Sequence, residues 1–144
     1  MKSDDSSLSI PTVHELMFRV RYQETDAQGR VYHGNYANYF EMGRVEMLRA
    51  GGINYRDLES SGLMLVVVSL SCRFYLGAQY DDLLKLVTRV TQSKGVRMTH
   101  HYQLFRENEL LVEGETVIAA VNREGKVVRM PRHLRLNLDE SPES

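Results

Sequence analysis

The sequence predicts an α+β domain in which one long helix lies across a strongly bent antiparallel sheet. Three observations predict it. Tyr36, Tyr39, Phe40, Gly43 and Met47 recur at helical spacing, with Asn38, Glu41 and Arg49 on the other sides of the turn. Strand-like runs precede this helix and, four in succession, follow it. The later runs are joined by short polar or Gly-containing connections, which only antiparallel neighbours allow, because a parallel crossover needs a dozen or more residues.

The elements follow in order. Residues 1–13 are polar and unpatterned and are expected to be a flexible tail. Leu16, Phe18, Val20 and Tyr22 alternate with Met17, Arg19 and Arg21, a strand with one buried face that ends at Tyr22. A loop leads into the long helix, for which Asn35 is the N-cap candidate and Gly51-Gly52 the stop. Gly43 in mid-helix costs about 1 kcal/mol relative to Ala, which a close approach of helix and sheet would explain. Tyr55 to Ser61 predicts a short second helix ending at Gly62. Four strands follow: Leu63 to Tyr75, rich in Val and Leu and expected to be central, then Leu83 to Ser93, Val96 to Arg106 and Leu110 to Arg123. A single domain over residues 14–137 is expected, with 138–144 an acidic flexible end.

Composition limits the function classes. The chain has 144 residues, of which 42% are hydrophobic and 26% charged, enough for one cored domain and too few for two comfortable ones. Its net charge is −1 with acids and bases interspersed, which argues against a nucleic-acid-binding footprint. No apolar run approaches the ~18 residues of a membrane span, and no charged start followed by an apolar core marks a signal peptide. The single cysteine, Cys72, cannot form an internal disulfide, and a reducing cytoplasm is the expected location.

The loop between the first strand and the helix carries the chemistry. Asp26 lies close to the backbone N–H groups that a helix start leaves without partners. Such amides can stabilise an oxyanion, and a neighbouring carboxylate can attack a carbonyl or activate water. The pair suits acyl transfer from a thioester, whose thiolate leaves without a strong general acid. There is no G-x-S-x-G elbow, and Cys72 has no histidine beside it in sequence. The competing reading is structural: Asp26-Ala27-Gln28-Gly29 has the composition of a turn in which Asp satisfies local N–H groups.

Other residues carry weaker signals. Tyr22, Tyr32, Tyr36 and Tyr39 are close in sequence and suit either an aromatic acyl pocket or core packing, with Tyr22 the functional choice because it ends the strand at the loop. Glu41 and Arg44 are spaced to pair on the helix surface, and nothing favours Glu46 as a second acid. His100 and His101 are adjacent in a strand and face opposite ways, so no metal site is expected. Arg73, Lys94, Arg97, Arg129 and Arg132 are candidates for phosphate contacts, with Lys94 and Arg97 preferred for their place near a turn. Cys72 is expected to be packed, and Asp81-Asp82 to be a turn before a strand.

The string Tyr22-x-x-Thr25-Asp26-x-x-Gly29-x-Val31-Tyr32-His33-x-Asn35-Tyr36 resembles the signature of the 4-hydroxybenzoyl-CoA thioesterase family of hot-dog-fold acyl-CoA thioesterases. Phe40-Glu41 and Arg44 extend the likeness. Residues Arg73 to Asp82 are similar to the family's second recurrent segment, and Lys126 to Pro131 carry a weaker third. Together these span about residues 16–137, in the family's order. Gly77 stands where the family often has Pro, and Gln28 where many relatives have a small residue.

The resemblance implies a hot-dog fold and hydrolysis of an acyl-CoA to the acid and free coenzyme A. It implies Asp26 as the catalytic carboxylate and the His33 backbone N–H as the oxyanion donor. Coenzyme A enters as part of the substrate and no cofactor is expected; acyl carrier protein is the other carrier to consider. A homodimer or homotetramer with sites at the subunit interface is implied. Two rival functions stand beside it: a module that binds an acyl thioester without cleaving it, and a hot-dog hydratase or dehydratase using Asp26 and His33.

Overall fold

The computed structural model describes residues 10–134; of the tail expected over 1–13, residues 1–9 lie outside the described residues, as do the tail expected at 138–144 and the domain's edge at 137, whereas Ile10 is buried in the core and Val13 already belongs to the first strand. Strand β1 (Val13–Arg19) leads through a 3-10 turn at Tyr22–Glu24 to helix α1 (Asn35–Ala50) and the short α2 (Tyr55–Ser60). Strands β2 (Met64–Phe74), β3 (Leu83–Lys94), β4 (Arg97–Arg106), β5 (Glu109–Val121) and the two-residue β6 (Val127–Val128) follow. All pairings are antiparallel, in the order β1-β3-β4-β5-β2 with β6 on β5. Helix α1 covers one face of this sheet, and the architecture is the hot-dog fold.

The helix buries Tyr36, Tyr39, Phe40, Gly43 and Met47, the five positions set by the spacing. Its N-terminal half joins Leu84, Leu86, Tyr102, Leu104 and Val112 in one apolar cluster, with the Phe40 and Tyr102 rings stacked at 4.2 Å. Its C-terminal end joins Met98, Ile118, Met130 and Leu134 in a second. Helix α1 stops at Gly51-Gly52, and Asn54 caps α2 by accepting the Arg56 N–H at 2.9 Å.

Gly43 marks the closest approach of helix and sheet. A Cβ there would meet the Thr88 hydroxyl and, at 2.8 Å, the Leu86 side chain. Gly43→Ala is therefore expected to destabilise by about 1–2 kcal/mol, because overpacking outweighs the gain in helix propensity. Thermal unfolding measures it; a variant as stable as the parent would mean that the helix can lift from the sheet.

Between the two clusters the inner face carries buried Thr88, His100, Tyr102 and Thr116. Tyr102 and Thr116 share a 2.6 Å hydrogen bond, and Arg44 Nη1 donates to the Tyr102 hydroxyl at 3.0 Å. Arg44 therefore turns inward and does not pair with Glu41, as its spacing had suggested. Glu46 pairs with Arg49 at 3.1 Å.

Burial, reinforced by the charge of Arg44, pushes the His100 imidazole down to about 3 from 6.5. The unfolded chain then binds a proton below about pH 6.5 that the folded chain refuses until about pH 3. Stability attributable to His100 is thus full above 6.5 and falls with pH at roughly 1 kcal/mol per unit. Glu24, whose pKa lies below its ordinary 4.5, adds a second loss only below that value. Denaturant unfolding between pH 7 and 5 should show the slope, and His100→Phe should flatten it; an unchanged slope would remove His100 as its cause.

Three sequence expectations are corrected. Strand β2 is at the sheet edge, not central, and its Val66, Val67, Val68 and Leu70 are exposed. β1 ends at Arg19 because Val20 turns to pair with the β2–β3 connection: its N–H donates to Asp82 O at 3.0 Å and its carbonyl accepts from Asp81 N at 3.0 Å. Asn35 is the first helical residue and not the cap; its side-chain amide donates to the Glu24 carbonyl at 2.9 Å.

Candidate active site

The site forms where two connections meet at one end of the sheet. The β2–β3 connection must travel from one sheet edge to the strand beside the other, so it crosses the ends of the intervening strands. Tyr75 N–H donates to Leu111 O at 2.8 Å, and Arg106 Nη1 bonds Gly77 O at 3.3 Å and Asp82 Oδ2 at 2.8 Å. Asp82 also accepts the Gln79 N–H at 2.8 Å, which makes Asp81-Asp82 the expected turn.

Against this segment lies the loop from Thr25 to Val31, folded back as a small hairpin. Asp26 N–H donates to Arg30 O at 2.8 Å and Gly29 N–H to Asp26 O at 3.0 Å, with Gly29 at φ +80° where a side chain would be strained. Val31 N–H donates to Ala78 O at 2.9 Å, joining hairpin and crossing segment.

Buried Glu24 anchors the loop to the helix. Its carboxylate accepts the Arg21 N–H at 2.9 Å, the Arg21 guanidinium at 3.1 Å and the Tyr39 hydroxyl at 2.8 Å. Burial alone would raise its pKa; these bonds outweigh burial and hold the group ionised. Its carbonyl receives the Tyr32 N–H and the Asn35 side chain. Glu24, not singled out in the sequence, therefore sets the position of Asp26 relative to α1.

Asp26 Oδ1 accepts the N–H groups of Gln28 at 2.9 Å and Arg30 at 3.3 Å. The turn reading is correct as far as it goes. Oδ2 takes no hydrogen bond from any described residue, and the side chain is exposed at a cleft of about 730 Å³. His33 and Tyr36 line the same cleft, with Gln28, Arg30, Phe74, Gly77 and Arg106. The N–H groups of His33 and Gly34 have no acceptor among the described residues, at the positive end of a sixteen-residue helix. The His33 ring lies against Tyr32 at 4.4 Å.

Tyr36 combines both roles weighed for it. It is buried, its hydroxyl accepts the Ala78 N–H at 3.3 Å, and its ring meets Phe74 at 5.6 Å at the wall of the cleft. Tyr22 is placed differently: it is 77% exposed in the 3-10 turn, edge-on to Tyr80 at 5.7 Å and away from the cleft lining. The reason for choosing it, a place at the strand's end, is lost. Lys94 and Arg97 face each other at the β3–β4 turn, at the opposite end of those strands from Asp82 and Arg106. The cleft's cations are instead Arg30 and Arg106, whose positions depend on sheet register that no local pattern records.

Two other expectations hold. Cys72 is half-buried against the first cluster and burial raises its thiol pKa. His100 is buried, whereas His101 is half-exposed and bonded to Glu113 at 3.0 Å. Gly77 leaves room for Arg30, whose Cδ would lie 3.0 Å from an added Cβ.

Residues 20–138 match the thioesterase-like superfamily. The chain belongs to this superfamily. It is 32% identical over 133 residues to the acyl-CoA thioesterase YbgC of Haemophilus influenzae, covering 91% of this chain and 93% of that one. It is 33% identical over 105 residues to the acyl-CoA thioester hydrolase YbgC of Escherichia coli, covering 72% and 78%. Among solved structures, a probable thioesterase from Bartonella henselae superposes with a TM-score of 0.79 at 36% identity, covering 83% of this chain and 99% of that one. In this superfamily member, Asp26 and the start of α1 share one cleft. No helix among the described residues is long and apolar enough to cross a membrane.

Proposed function

We propose that this chain hydrolyses acyl-CoA thioesters to the carboxylic acid and free coenzyme A. The observation that carries the reading is one cleft lined both by Asp26, one of whose oxygens has no partner among the described residues, and by His33, whose amide, like that of the adjoining Gly34, has no acceptor among them. The carbonyl oxygen of R–CO–S–CoA accepts from those amides, and negative charge develops where the helix dipole favours it. Asp26 either adds to the carbonyl carbon, giving an anhydride that water cleaves, or removes a proton from the water that adds. In both routes the C–S bond breaks and the thiolate leaves as the coenzyme A thiol after protonation; the acid's new oxygen comes from water directly or from the Asp26 carboxylate, whose oxygen water then restores.

Arg30 is the exposed arginine at this cleft and suits the substrate's phosphates, whereas Lys94 and Arg97 lie at the far end of β3 and β4 from it. The motif likeness supports the finer placement among 4-hydroxybenzoyl-CoA-type thioesterases. The exposed apolar side chains of β2, on an edge whose far side has no strand among the described residues, support a homodimer paired there, alone or doubled to a tetramer. One half-buried cysteine is consistent with a reducing cytoplasm.

Thiol release from short, long, branched and aromatic acyl-CoAs tests the reading. Turnover on at least one class is expected. Saturable binding without release would favour the binding module, and solvent-proton exchange α to an intact thioester would favour the hydratase.

A further inference from the structure

A second recess lies along α1, remote from Asp26. Its cavity, about 70 Å³, is several times the ~15 Å³ that one water requires. Its floor comprises Met98, Ile118, Met130 and Leu134, and its polar lining residues among those described are Glu41, Arg44, His100 and Tyr55, the last with its hydroxyl already bonded to the Leu65 backbone.

Those polar groups are incompletely matched. Arg44 is half-buried, makes no ion pair among the described residues, and has one hydrogen bond, to Tyr102. His100 is 4% exposed; its Nδ1 is buried without a partner, and the ring bonds no described residue. Buried charges and imidazoles in folded proteins are ordinarily matched, so such a pair beside an open volume needs an explanation. Glu41 is exposed and lies outside ion-pair distance of every described cation.

We infer that this cavity binds a short-chain monocarboxylate, whose carboxylate bonds Arg44 and the His100 ring while its alkyl tail fills the apolar floor. The guanidinium, without an ion pair among the described residues, selects an anion, and the volume limits the tail to roughly two to four carbons. His100 stays neutral at ordinary pH, so its ring keeps one N–H to donate. The inference does not depend on the hydrolase reading, because binding here needs neither Asp26 nor turnover.

Titration of the full chain with butanoate and with uncharged butanamide, followed calorimetrically and by the His100 ring resonances, tests it. Butanoate should bind saturably, near one per chain, with a Kd of roughly millimolar and a shift of the His100 signals. Butanamide and the Arg44→Gln variant should each weaken binding about tenfold or more. Val45→Phe, which narrows the cavity and leaves Arg44 in place, should abolish it. No saturable binding, equal binding of butanamide, or binding indifferent to both substitutions would overturn the inference. So would binding seen only after Asp139→Asn, Glu140→Gln and Glu143→Gln are combined, since the chain's own acidic end would then be the natural partner of Arg44.

Discussion

Replacing Asp26 with Asn is expected to lower kcat for thioester hydrolysis about 10³-fold, or roughly 4 kcal/mol of transition-state stabilisation, with KM nearly unchanged. The change is confined to chemistry because Asn retains an oxygen that can accept from the Gln28 and Arg30 amides, as Asp26 Oδ1 does at 2.9 and 3.3 Å. The hairpin keeps its shape, while the other oxygen, which the proposed mechanism uses, becomes an amide that neither adds to a carbonyl nor takes a proton from water. Single-turnover thiol release, alongside circular dichroism to confirm the fold, measures the effect. Tyr22→Phe should alter kcat by less than about threefold, because the phenol stands outside the cleft. A loss at Tyr22 as large as that at Asp26 would place the cleft wrongly.

The second large effect concerns the sheet edge. Val67 and Leu70 are 49% and 48% exposed on β2, so replacing both with Lys costs a single chain little. In a symmetric dimer each substitution counts twice, and loss of several kcal/mol of apolar burial should raise the dissociation constant roughly a thousandfold or more. Sedimentation at micromolar concentration should show the parent as an oligomer and the double variant as a folded monomer with little activity. A parent chain that is monomeric and fully active would refute both the edge pairing and an interfacial site.

How much of this was legible depends on what each residue answers to. The helix was legible because Tyr36, Tyr39, Phe40, Gly43 and Met47 answer to a local 3.6-residue period, and the structure buries those five. Leu63 to Tyr75 misled because a Val- and Leu-rich strand reads as central whether its apolar side chains meet the same chain or are left exposed at an edge. The alternation through Val20 ran past the true end of β1, since Val20 is as buried in its turn as it would be in a strand. Asn35 was drawn from the capping role by a carbonyl eleven residues away.

At the site, the sequence offered Asp26 as either turn residue or catalyst, and the structure assigns its two oxygens differently. Oδ1 serves the turn and Oδ2 has no partner among the described residues. Arg106 carried no local sign at all, because its bonds to Gly77 and Asp82 arise only once β4 and the crossing segment are brought together.

The most direct test is a crystal structure with a ketone analogue of an acyl-CoA, in which a methylene replaces the thioester sulfur and the carbonyl is retained. The carbonyl oxygen is expected within about 3 Å of the His33 or Gly34 amide nitrogen, with the Asp26 carboxylate over the carbonyl carbon or one water away. An analogue bound with its carbonyl remote from α1's first turn, with Asp26 still engaged only by its own loop, would contradict the account.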